Sequence, residues 1–104
     1  MKGLIIDMYM EESYNINRME YLILNTLYAA KCKDHYDSMT ISELMEDTTD
    51  ESGQCVLGVR LTIYKKLQKL VKASFINKGI LDARADTYFI TEKGINLIER
   101  RERV

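Results

Sequence analysis

The segment TIYKKLQKLVKASFI, Thr62 to Ile76, carries four lysines and no acidic residue in a chain of 104 residues whose net charge is -1. Ile63, Leu67 and Leu70 recur within it at helical spacing. Such a helix has one face that must be buried and one that must stay in water. A chain of this length buries one modest core, so the helix must lie on the outside of a single domain with its cations outward. Thr62, Lys65, Gln68, Lys69 and Lys72 fall opposite the apolar stripe, and Val59 and Val71 fall at its margins. Lys66 lies at the boundary, where its stem can run along apolar surface. Leu61 also points outward, and a contact with the preceding helix or loop is expected to cover it.

The charge is segregated along the chain. Met1 to Val59 holds four basic residues against eleven acidic ones, a net -7. Arg60 to Arg84 holds seven basic residues against Asp82 alone, a net +6. Binding of a polyanion follows the local field rather than the total, so this segment is the place to look for one.

Hydrophobic residues are 46% and charged residues 30%, the balance of a globular chain, and proline is absent. That composition permits long helices and excludes a Pro-rich linker. The opening MKGLIIDMYMEES is interrupted by Asp7 and has no small-residue cleavage site, so it reads as a poor signal peptide. No stretch reaches the roughly 20 apolar residues of a membrane span. No membrane association is expected, and the cytoplasm is the expected location. Cys32 and Cys55 are too few for a disulfide framework, and Cys32 with His35 makes a weak metal signal. One histidine, no glycine-rich phosphate loop and no His-Glu-x-x-His leave an enzyme as the poorest reading. No cofactor and no metal are expected.

Asn17 with Glu20 three residues on opens a helix over RMEYLILNTLYAAKC, with Met19, Leu22, Ile23, Leu27 and Ala30 inward. HYDSM reads as a connection. Thr40 and Glu43 form a second capping box, opening a short helix that buries Ile41, Leu44 and Met45. TTDESGQ is a loop. The basic helix follows, over about 59–73, and then a β-hairpin over about 75–91 that turns around Asp82-Ala83-Arg84-Ala85-Asp86. Thr91 caps a last helix containing Ile95, Leu97 and Ile98. Its final turn carries Arg100, Arg101 and Arg103, which suit the negative end of the helix dipole. Residues 1–16 form an amino-terminal arm, and 17–104 the domain.

Three passages, MTISELMED, LTIYKKLQKLVKASFI and TYFITEKGINLIE, in this order and spacing resemble the winged helix-turn-helix regulators of the PadR-like and MarR-like families. The resemblance covers roughly Asn17 to Glu99. It implies a mainly α fold with a small β-hairpin, in the order α-α-α-β-β-α, and a transcriptional regulator that binds double-stranded DNA sequence-specifically. Two departures stand out: Ser74 occupies the helix end where those families place glycine, and the break from Thr48 to about Gly58 exceeds a compact helix-turn-helix turn.

A helix fits the major groove, and base-edge readout uses the amino-terminal half of the recognition helix. Arg60, Thr62, Tyr64 and Lys65 are the candidates for it. Lys69 and Lys72 are expected on phosphates, with Lys66 at the edge of the surface. Arg84 lies near the wing tip, where the resemblance implies phosphate or an adjacent minor groove. A homodimer is expected, because two-fold pairing doubles a short half-site. Its candidate elements are Leu4, Ile5, Ile6, Met8 and Tyr9 in the arm and Ile95, Leu97 and Ile98 in the last helix. The rival readings are a winged helix that binds a protein partner through its acidic half, and a replication or plasmid-maintenance DNA-binding module.

Overall fold

Asn17 starts the first helix as the sequence predicts. Its Oδ1 accepts from the Glu20 amide at 2.8 Å, and the Glu20 carboxylate accepts from the Asn17 amide at 3.1 Å. The computed structural model describes residues 16–102. Within them the elements run α1 (Arg18–Ala29), β1 (Met39–Thr40), α2 (Ile41–Asp47), α3 (Arg60–Lys72), β2 (Ile76–Lys78), β3 (Thr87–Ile90) and α4 (Glu92–Glu102). The arm residues Leu4, Ile5, Ile6, Met8 and Tyr9 lie outside the described residues, as does Arg103. Ile16, at 7% exposed, belongs to the core.

Thr40 caps α2 in the same reciprocal way with Glu43, at 3.1 and 2.8 Å. The core gathers Ile23, Leu24 and Leu27 of α1, Leu44 of α2, Ile63, Leu67 and Leu70 of α3, the apolar residues of β3, and Leu97 and Ile98 of α4. Tyr28 donates its hydroxyl to the Glu99 carboxylate at 3.0 Å, and the Arg101 guanidinium lies 5.1 Å from the Tyr21 ring centroid. Both contacts tie α1 to α4.

Met39, expected in a connection, and the cap residue Thr40 form a short strand. They pair antiparallel with Tyr88 and Thr87, so the hairpin becomes a three-stranded sheet in the order β1-β3-β2. All four β3 residues are buried, because the strand is paired on both edges and covered by helices.

Two helices end in the same way. At the end of α3, Phe75 N–H donates to Leu70 C=O and Ser74 N–H to Val71 C=O, both at 3.0 Å, with Ser74 at φ 70°. That is the Schellman arrangement, which favours glycine at this position. The α1 helix closes equivalently on Lys31 at φ 61°, and its last helical residue, Ala29, lies three residues before the expected end at Cys32. The left-handed conformation costs an L-residue about 1–2 kcal/mol, part of which glycine gives back as unfolded-state entropy. Ser74→Gly is therefore expected to stabilise the domain by about 1 kcal/mol, raising its thermal midpoint by several degrees in a calorimetric scan.

The break between α2 and α3 is ordered by its own bonds. Thr49 bridges to Cys55, and Asp50 Oδ1 accepts from the Ser52 hydroxyl at 2.6 Å and from the Ser52 and Gln54 amides at 3.0 Å. Those donors, the Ser52 hydroxyl foremost, hold the Asp50 carboxyl below the usual range. Leu57 then plugs the core, and Gly58, at φ 102°, turns the chain into α3.

Candidate nucleic-acid interface

Ile63, Leu67 and Leu70 are fully buried and anchor α3 to the core by one face. The opposite face is open. Arg60, Leu61, Thr62, Tyr64, Lys65, Lys69 and Lys72 are exposed, and Lys66 is half-buried. Val59, expected at a core margin, is the N-cap of α3 and 68% exposed, and its side chain makes no capping bond. The first turn of α3 holds no acidic residue, whereas α1, α2 and α4 begin with Glu20, Glu43 and Glu92 respectively.

The wing stands beside this helix. Asp82 and Ala85 close the hairpin with mutual backbone bonds of 3.0 and 2.9 Å, which leaves Ala83 and Arg84 as a two-residue tip. Ala83 has φ 57°, the positive value that a type II′ hairpin turn requires at its first central residue. Arg84 is exposed at that tip. A shallow cleft of about 160 Å³ lies between the start of α2, the first turns of α3 and the returning wing strand, lined among others by Ser42, Arg60, Tyr64, Ala85, Asp86 and Tyr88. Its walls bring Arg60, Tyr64 and the residues next to Arg84 to one side of the molecule.

Several of these side chains already have partners. Arg60 Nη2 donates to Ser42 Oγ at 2.7 Å, which braces the start of α3 against α2. Gln68 Nε2 lies 3.5 Å from the Tyr88 hydroxyl, whose pKa burial pushes up. Lys78 and Asp86 pair at 3.4 Å across the wing, so the acid in the cleft is partly neutralised.

Lys69 has a partner within the protein. Its ammonium lies 3.1 Å from Glu20 Oε1, the same oxygen that caps α1, and Glu20 is only 3% exposed. A carboxylate that deep needs a partner, so Lys69 holds α3 to α1. Glu20 lies 49 residues away in sequence, and its capping-box position was the one signal that it would be held inward.

Among the dimer candidates, Leu97 and Ile98 are 2% and 0% exposed and pack into the protomer's own core. The apolar stripe of α4 faces α1 and β3. Ile95 is half-buried. Cys32 is buried, which pushes its thiol pKa up, away from reactive thiolate. His35 leans on Phe89, with ring centroids 4.9 Å apart. Leu61 is 61% exposed, so the cover expected for it from the preceding helix or loop does not exist.

This arrangement of helices, three-stranded sheet and projecting hairpin is the winged helix-turn-helix fold. Its solved neighbours agree. TubR from Bacillus megaterium pBM400 superposes with a TM-score of 0.72 at 16% identity, covering 91% of this chain and 96% of that one. MepR of Staphylococcus aureus, in a complex with DNA, superposes with a TM-score of 0.65 at 19% identity, over 96% of this chain and 78% of that one. A second MepR structure, described as a transcription regulator of the multidrug efflux pump MepA, gives 0.63 at 18% identity, over 95% of this chain and 71% of that one. No protein-family model matches the sequence, and no curated protein does. Among the described residues, no helix is long and apolar enough to cross a membrane.

Proposed function

We propose that the chain is a transcriptional regulator that binds double-stranded DNA sequence-specifically, with α3 in the major groove and the wing tip on the flanking backbone. One observation carries this reading. The exposed helix α3 holds Arg60, Lys65, Lys66, Lys69 and Lys72 and no acid, while residues 1–59 carry a net -7. Lys65 and Lys72 stand on its outer face, and Arg84 extends the same charge to the wing. Cations on such a face neutralise phosphates and release counterions. MepR, which shares the fold, has been solved with DNA, and this supports the same use here.

Arg60, Thr62, Tyr64 and Lys65 occupy the amino-terminal half of α3, the half that reaches base edges in helix-turn-helix complexes. The fixing of Arg60 on Ser42 orients its remaining N–H groups, as readout of a base edge needs. Lys65, Lys66 and Lys72 act on phosphates in this reading, and Lys69 positions the helix. Pairing of two copies supplies two recognition helices for a two-fold site, with the arm and Ile95 as the candidate contacts.

Selection of bound duplexes from a random pool tests the proposal. Enrichment of a two-fold-related motif, with log affinity falling linearly as log salt rises, is the expected result. Failure to retain any duplex at low salt would remove the proposal.

A further inference from the structure

The outer strip of α3 runs Leu61, Lys65, Lys72, at spacings of four and seven. Its first member is the anomaly. Leu61 is 61% exposed in the most cationic helix of the chain, and neighbouring Val59 is 68% exposed. The core does not need either residue, since Ile63, Leu67 and Leu70 already anchor the helix. Whatever meets Leu61 must therefore present an apolar group surrounded by negative charge, because Arg60 and Lys65 stand exposed beside it and α3 bears no acid. The major groove of duplex DNA fits that description. Phosphates line its rims, and the thymine C5-methyl is the apolar group on its floor. The first turn of a recognition helix is also the part that reaches that floor.

We infer that Leu61 is a specificity residue that reads thymine through its C5-methyl group. This rests on the DNA-binding reading above and adds to it a base, an atom and a side chain. Leu61 donates and accepts no hydrogen bond, so it distinguishes thymine only by the methyl. Uracil, which keeps the pairing edges and lacks that methyl, is the discriminating probe.

The test uses the whole chain and a selected duplex in which each thymine is replaced in turn by uracil. Wild-type protein is expected to lose about fourfold in affinity at one thymine position or more, the scale of one buried methyl contact. Leu61→Ala is expected to bind the thymine duplex about fourfold more weakly and to show no further loss with uracil at that position, a closed double-mutant cycle. Its thermal midpoint should match wild type, because Leu61 is outside the core. Equal wild-type affinity across the uracil series, or a uracil penalty that persists in Leu61→Ala, would overturn the inference and leave the DNA-binding reading standing. Absence of duplex binding at low salt would remove both. Retention on vesicles of phosphatidylcholine and phosphatidylserine, without duplex binding, would assign this face to an anionic lipid surface instead.

Discussion

Reversing two charges on α3, Lys65→Glu with Lys72→Glu, is expected to weaken duplex binding by more than about a hundredfold at 0.1 M salt. The size follows from counterion release. A phosphate contact contributes a slope of about 0.9 in log affinity against log salt, or close to tenfold per contact at that concentration. Two lost contacts give nearly a hundredfold, and two new repulsions add to it. The milder Lys65→Ala/Lys72→Ala pair should flatten the salt dependence by about 2 in slope, lowering affinity for all sequences alike. Both lysines are exposed, so the unfolding midpoint should stay where it is. Lys69→Ala is the internal contrast. Its ammonium lies 3.1 Å from the buried Glu20 carboxylate, so its loss should lower the unfolding midpoint, an effect the other two lysines lack. Fluorescence titrations at several salt concentrations, with denaturation curves on the same samples, separate the two effects. An unchanged salt slope in the double alanine variant would place the binding face elsewhere.

The second large effect is on the fold itself. Gly94→Ala is expected to destabilise the domain by about 2 kcal/mol or more, even though alanine is the better helix former by roughly 1 kcal/mol. A Cβ at this position would overlap the Phe75 carbonyl oxygen and come within 2.6 Å of Ile90 Cγ1. Neither neighbour can easily move. The Phe75 carbonyl accepts from both the Thr91 amide and the Thr91 hydroxyl at 3.0 Å, and Ile90 is fully buried in β3. The Thr91 hydroxyl also donates to the Ser74 carbonyl at 2.6 Å, and the Lys93 ammonium reaches the Ala73 carbonyl at 2.9 Å. The Thr-Glu-x-Gly start of α4 is thus a clamp on the end of α3 and the first wing strand. Urea denaturation should show the lower midpoint, and DNA affinity should fall with it, because α4 holds the base of the wing. A midpoint within experimental error of wild type would mean that α4 can slide away from Phe75 without loss.

The elements legible in the sequence are those set by short-range bonds or by a repeat. Asn17 with Glu20 and Thr40 with Glu43 close their capping boxes over three residues, so the two helix starts were readable. The left-handed end at Ser74 was signalled only by the family resemblance, which places glycine there, and the equivalent ending at Lys31 carried no such signal. The stripe Ile63, Leu67 and Leu70 follows from the helical period alone. By contrast, β1 is two residues long and exists only because β3 pairs with it. A segment that short has no period of its own to detect.

The candidate site divides along the same line. Its cations, the absence of acids along α3 and the outward side of most of them were determined by the sequence, because charge and helical period are local properties. Which cations remain available was decided by the tertiary structure. The fold places Glu20 beneath Lys69 and Ser42 beside Arg60, and it leaves Leu61 uncovered beside Lys65. Those outcomes depend on how α1 and α2 pack against α3. A helical period fixes which residues share a face, but it carries no information about which distant side chain will meet that face.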